Sequence, residues 1–191
     1  MLVASLSNRP GRSAANGNNV TYNSVALTSA NASYISNVNA DISVNSYYLA
    51  NPASGTNNAV LSSVSSHTWI AGGIISLSGA HQTTPLDTAN AAQSNSGNAS
   101  VSVTTNNANS FIIDNLVRGG GDAPTVAAGQ TQRWNQLVNG DSNRRLAGST
   151  RGTSTAGSYT MSWTGGINEY VIGAITINEA AVATTTSTSS S

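Results

Sequence analysis

The stretch Tyr159-Thr-Met-Ser-Trp163, a turn at Thr164-Gly165-Gly166, and then Tyr170-Val-Ile-Gly-Ala-Ile-Thr-Ile-Asn178 decides how the fold is read. Tyr159, Met161 and Trp163 fall on one face of an extended segment while Thr160 and Ser162 fall on the other, the two-residue period of a half-buried strand. Tyr170 to Ile177 behaves differently, because both of its faces are mostly apolar. The β-branched residues Val171, Ile172, Ile175 and Ile177 favour a strand covered on both sides over a surface helix. Gly173 and Ala174, in the middle of that run, admit close approach by another backbone or a large ring. The pair reads as the centre of a β-sandwich.

Outward from this pair the chain is a series of short runs separated by turn residues. Leu2 to Leu6 alternates as a strand, and Val20-Thr21-Tyr22 with Val25-Ala26-Leu27-Thr28 predicts a hairpin around Asn23-Ser24. Ile42 to Ala50 is a further strong strand, ended by Asn51-Pro52-Ala53-Ser54-Gly55, and Asn58 to Val64 resumes. His67 to Leu77 predicts a buried strand with a bulge or a close contact at Gly72-Gly73. Ala99 to Thr105 alternates clearly, and Ser110 to Val117 is denser and more buried. Ser78 to Gly97, polar and with Pro85 inside it, reads as the longest irregular stretch and the best exposed functional loop. Gly129 to Asn135 and the arm around Leu146 read as edge strands or shaped loops. About ten short strands at spacings of roughly 8–12 residues, with no amphipathic helix, predict an all-β sandwich or barrel.

The composition bounds the function. Charged residues are 7% of the 191-residue chain, with seven Arg, no Lys and seven acids, so the net charge is zero. That leaves no electrostatic footprint for nucleic acid or an anionic membrane, and no run approaches the roughly 18 apolar residues of a spanning helix. Cysteine is absent, which excludes disulfides and thiolate metal sites. Asn, Ser, Thr and Gly must carry solubility. Behind Met1 the apolar run precedes Arg9 and Arg12, the reverse of a signal peptide. The expectation is export by another route or a chain that starts inside a larger product. Residues 1–178 are expected to form one β-sandwich domain and 179–191 a Ser/Thr-rich C-terminal tail.

Few residues offer chemistry. Asp41, Asp87, Asp114, Asp122, Asp141, Glu169 and Glu179 are all the carboxylates, and none stands in a catalytic pattern. Asp87, Asp122 and Asp141 read as turn residues and Asp114 as a strand end. His67 and His81 are the only imidazole bases, with no Gly-x-Ser-x-Gly elbow to serve. His81 and Asp87 share a loop but lack a metal-loop pattern. Gly119-Gly120-Gly121 reads as a plain turn ahead of an anion-binding nest. No catalytic residue, metal or cofactor is therefore expected. For sugar binding, Trp134 flanked by Arg133 and Asn135 is the best candidate, with structural packing as the competing role, while Trp69 and Trp163 read as core. Arg133 is placed to stack on a ring or pair with a buried carboxylate.

Six segments in order, Val20 to Thr28, Tyr48 to Thr56, Ser78 to Asp87, Gly129 to Asn135, Ala147 to Thr150 and Tyr159 to Trp163, together resemble a β-sandwich module. That module, of lectin or jelly-roll type, recurs in large secreted bacterial proteins and in phage structural proteins. The resemblance runs to about Asn178 and implies an antiparallel jelly-roll sandwich but no reaction. It also implies a strand ahead of the one matching Leu2 to Leu6, which this chain lacks, and an acidic residue where His81 stands. From the missing strand we expect an open edge along Leu2, Val3, Ala4, Ser5 and Leu6, filled by a neighbouring subunit's segment, its 180–191 tail being one candidate.

These features lead to a non-catalytic structural protein on the exterior of an assembly, a phage virion component such as a capsid decoration protein or fibre. Its partners would be other virion subunits in a homo-oligomer, and its location the virion or the extracellular space. A carbohydrate-binding module with a glycan partner is the alternative, and a subunit of an extracellular filament the second alternative.

Overall fold

The computed structural model describes residues 1–9, 18–30, 35–37, 42–63, 69–138, 141–165 and 168–180. Asp41, His67, Arg12 and the tail from 181 lie outside them, and so do the expectations placed there. The first strands are β1 (Leu2–Asn8), β2 (Asn18–Tyr22), β3 (Val25–Ala26), β4 (Thr28–Ser29), β5 (Ile35–Asn37), β6 (Ile42–Leu49), β7 (Ala59–Ser63) and β8 (Ile70–Ser76). There follow β9 (Leu86–Ser94), β10 (Ala99–Thr105), β11 (Phe111–Gly119), β12 (Thr125–Val126), β13 (Thr131–Val138), β14 (Asp141–Gly152), β15 (Gly157–Thr164) and β16 (Tyr170–Ile177). The described residues are all-β and every ladder is antiparallel. Asn23 and Ser24 join β2 to β3 at φ 49° and 63°, the double positive φ of the hairpin turn that matches strand twist. Glycine suits the second of these positions better than serine does. Ser24→Gly is expected to gain about 0.5 kcal/mol, read as a Tm rise of about 1–2 °C.

The described residues are consistent with the all-β sandwich that the sequence pattern predicts, and they build it from four antiparallel sheets packed face to face. The main sheet is ordered β13-β14-β11-β16-β9, and its central strands β11 and β16 are buried on both faces. Ile112, Leu116, Ala147, Ile172 and Ala174 point to one side, where they meet Val101, Val103, Met161 and Trp163 of a three-stranded sheet, β10-β15-β12. Ile113, Val117, Val171, Ile175 and Ile177 point to the other side, against Val3, Ile42 and Val44 of an amino-terminal sheet. That sheet is ordered β4-β6-β1-β8, with β5 also on β6. Its far face, through Ala4, Leu6 and Tyr47, packs on Val20 and Leu61 of a small sheet, β3-β2-β7. Strict alternation along β1, β11 and β16 thus feeds a separate apolar layer on each side, so a single strand serves two cores. The exposed face of the three-stranded sheet is the reverse case: Ser100, Ser102 and Thr104 stand opposite Ser162, Thr160 and Ser158. Ser102 and Thr160 share a hydroxyl hydrogen bond of 2.9 Å.

Three expectations are corrected. Leu2–Leu6 is no open edge, because β1 pairs with β6 on one side, Leu2 opposite Leu49, and with β8 on the other, Leu2 opposite Ser76. Both flanking strands come from later in the chain. Second, the stretch read as a loop over 78–97 contains β9, which pairs with β16 from Leu86 to Ser94. Asp87 is the second residue of that strand, not of a turn, and its carboxylate accepts from the Asn106 backbone N–H at 2.7 Å and the Asn106 side chain at 2.8 Å. Third, β8 is half-buried, and its ladder to β1 runs through Gly72-Gly73 without a bulge. The close contact at the glycines is real. A Cβ on Gly72 would stand 2.4 Å from the Ser5 carbonyl oxygen, and one on Gly73 would stand 2.9 Å from the Trp134 ring.

Candidate functional site

Where the amino-terminal sheet meets the main sheet, the end of β8, the start of β11 and the exit of β16 leave a groove. One lobe, of about 350 Å³, is lined by Ser76 to Ala80, Asn109, Phe111, Ile177, Asn178 and Glu179. A second lobe, of about 280 Å³, shares Ser76, Leu77 and Phe111 and adds Ile75 and Arg133. The walls are held from below. Phe111, Ile75 and Leu77 pack on Ile113, Ile175 and Ile177, Ala180 N donates to Gly79 O at 2.7 Å, and His81 N donates to Asn178 O at 2.9 Å. His81 itself is turned inward to its loop, its Nδ1 accepting from the Thr83 and Thr84 backbone N–H groups at 3.3 and 3.1 Å. It serves a turn. The groove offers one aromatic edge, amides, a guanidinium and a carboxylate, the mixture that suits a small polar ligand with an apolar face.

Of the three residues expected to bind sugar, only Arg133 borders this groove. A β-bulge between Gln132 and Trp134 makes Arg133 the extra residue of β13; its Nε donates to Thr150 Oγ1 at 2.8 Å. Trp134 is no exposed platform. Its ring lies between Gly73 and Gly148, where an added Cβ would fall 2.9 and 2.1 Å from ring carbons, and its buried Nε1 has no hydrogen-bond partner among the described residues. Asn135 is consumed by the fold. Its Nδ2 donates to Pro124 O at 2.8 Å, and its Oδ1 accepts from Arg145 at 3.1 Å. Bulge and alternation send the three neighbours to different surroundings, so they form no common patch. Phe111, Asn109, Asn178 and Glu179 were not singled out in the sequence, because only the return of β16 beside β11 brings them together.

A second constellation is wholly internal. Asp114, expected at a strand end, sits in the middle of β11 at 0% exposure. Its Oδ1 accepts from Ser149 N at 2.6 Å; its Oδ2 accepts from Ser149 Oγ at 2.9 Å, Trp163 Nε1 at 3.0 Å and Gln130 Nε2 at 3.3 Å. Gln130 in turn donates to Ser149 Oγ at 2.8 Å and accepts from Ser162 N at 2.8 Å. Burial pushes the Asp114 carboxyl up to about 7, against the opposing pull of Ser149 and Trp163. The network joins the main sheet to the three-stranded sheet, which makes it a structural tie.

Four further charged side chains act in the same way. Arg118, 4% exposed, donates to Gly119 O and Gly165 O at 3.0 Å each. Arg145 holds Gly121 O at 3.1 Å and Asn135 O at 3.2 Å. The glycine run is the plain turn expected: Gly119 N donates to Glu169 O at 2.9 Å, and the Glu169 carboxylate fills the space over Gly119 while pairing with Arg144 at 2.8 Å. Among the described residues no group of three His, Cys, Asp or Glu side chains stands where it could hold a metal ion. No family model matches the chain, and no curated protein or solved structure matches it either.

Proposed function

We propose that this chain is a non-catalytic structural component on the exterior of an assembly, a phage virion being the setting and capsid decoration or a fibre the role. The observation that carries this reading is where the charged side chains go. Asp114, Arg118, Arg144, Arg145 and Glu169 are each bound to the protein's own strands and loops. Apart from a few exposed charges such as Asp122, Arg133 and Glu179, what is left to the outside of the described residues is hydroxyl, amide and apolar surface, suited to contacts between subunits more than to proton transfer. The sequence resemblance to modules of phage structural proteins supports the setting. Purified native particles should contain the chain in fixed stoichiometry, measured by quantitative mass spectrometry, with its density on the outside in micrographs. A chain found only free in the soluble fraction would overturn the proposal.

The groove between Phe111 and Arg133 favours a second reading, a glycan-binding module. On a glycan array this reading expects binding that falls at least about tenfold in both Phe111→Ala and Arg133→Ala. Silence of the wild-type chain favours the structural reading.

A further inference from the structure

The strand edges of the two five-stranded sheets are treated unequally. At the main sheet's β13 edge a bulge carries Arg133 and a second irregularity separates Leu137 from Val138. At its other edge β9 lies against β10, whose carbonyl oxygens at Ser102 and Thr104 accept from Asn90 (2.7 Å) and Thr88. The amino-terminal sheet ends on one side in two fragments, β4 and β5, of two and three residues. Charge, bulges, covering groups and short strands are the means by which proteins close edges against other chains. Among the described residues the fourth edge, β8, has none of them. Ile-Ala-Gly-Gly-Ile-Ile-Ser runs seven residues without a charge, a proline or a register shift.

Its free groups can be assigned. Met1 and Leu77 exchange backbone hydrogen bonds of 3.0 and 2.8 Å, and Arg9 N donates to Trp69 O at 3.2 Å. The odd-numbered residues of β8 therefore bond to β1, and by the alternation of antiparallel ladders Ile70, Gly72, Ile74 and Ser76 direct N–H and C=O away from it. Among the described residues no hydrogen bond takes up those outward groups.

We infer that β8 of one copy pairs antiparallel with β8 of a second copy about a two-fold axis at Gly73, making the amino-terminal sheet continuous across the dimer. The strand is self-complementary in that register. Ile70 faces Ser76 and Gly72 faces Ile74, so all four outward residues become hydrogen-bonded pairs, each exchanging two bonds. The sizes match as well: the Ile74 side chain, 37% exposed in the single chain, lies beside a partner residue with no side chain, and Ile75 lies opposite Ala71. Other registers leave part of the outward set unpaired. Because the contact is isologous, it closes at two copies and builds no filament by itself. An edge about 23 Å long is smaller than a standard stable interface, so the dimer dissociates on dilution. This inference takes the structural reading one step further, but its test reads solution mass and not location on a particle, so the two fail separately.

Sedimentation equilibrium of the full chain over a hundredfold concentration range should show the mass doubling at the upper end. Amide exchange at Ile70, Gly72, Ile74 and Ser76 should slow there at least about tenfold relative to the dilute chain, while Ala71 and Ile75 stay unchanged. Ile74→Lys, which places a charge on the outward edge and touches no β1 hydrogen bond, should remain monomeric with an unchanged circular dichroism spectrum and Tm. Ser76→Lys is the second variant, should Ile74→Lys fail to fold. A wild-type chain that stays monomeric throughout, a folded lysine variant that still dimerises, or dimerisation that leaves the four amides unprotected would each overturn the inference. So would a chain that dimerises only after removal of residues 181–191, since its own tail would then be the occupant of this edge.

Discussion

Asp114→Ala is expected to be among the most damaging single substitutions in the chain, costing about 3–5 kcal/mol, or a Tm drop on the order of 10 °C. The loss comes from what remains. Ser149 N–H and Trp163 Nε1–H would stay buried with no acceptor, and the tie between the main and three-stranded sheets would open. Asp114→Asn keeps the shape but presents two N–H donors among donors, and is expected to cost about 1–3 kcal/mol. The two variants differ from wild type in pH dependence too. The folded-state pKa, at about 7, lies above the ordinary carboxylate value, so the folded chain holds a proton that the unfolded chain releases. Stability from this group is full below about pH 4, falls as pH rises to about 7, and is level above that. Denaturant midpoints measured from pH 4 to 8 should decline across that window in the wild type and lose this component of the slope in Asp114→Asn. An unaltered slope in the variant would assign the titration to another group.

Gly148→Ala is the second large effect, although it adds only one methyl group. That carbon would stand 2.1 Å from Trp134 Cζ2 and 2.3 Å from Cε2, so the indole must leave its slot between β14 and β8. Overpacking of this kind costs about 2–3 kcal/mol, a Tm decrease of about 4–12 °C. The indole is a clasp holding the β8 edge of the amino-terminal sheet on the main sheet. Trp134→Leu shortens the side chain, so the double variant with Gly148→Ala should lose less than the sum of the singles. Strict additivity in thermal melts would show that the two residues do not share the slot.

The local patterns of this chain were legible. The alternation of Tyr159, Met161 and Trp163, the two-sided apolar run from Tyr170 to Ile177 and the Asn23-Ser24 turn depend on residues next to each other, and the structure has them as read. Layer number was not legible, for a physical reason. Ser5, Ser7, Ser43 and Asn45 alternate with apolar residues as a solvent-facing set would, yet they lie buried between sheets, where Asn115 Nδ2 reaches Ser7 Oγ at 3.5 Å. Small polar groups that bond across layers look the same in sequence as groups that bond to water. Nor could β1 be placed, since its partners start at Ile42 and Ile70 and nothing local specifies them. Asp114 did leave a signal: a single carboxylate inside Phe-Ile-Ile-Asp-Asn-Leu-Val belongs either at the end of a strand or to a buried network. Ser149, Gln130 and Trp163, which decide between the two, stand 16 to 49 residues away.

The position of β16 bears on how the chain is made. All eight of its residues are buried, and it separates β11 from β9 in the main sheet, yet it is the last of the described strands to leave the ribosome. Until Ile177 emerges, β11 and β9 have no common neighbour and the apolar layers on both sides of the main sheet lack their middle. The ladder from Tyr170 to Ser94 closes a span of 76 residues, a non-local pairing of the kind that slows folding. Folding of the main sheet therefore waits for the synthesis of β16, and chains cut short before Tyr170 present two long open edges to one another in place of a core.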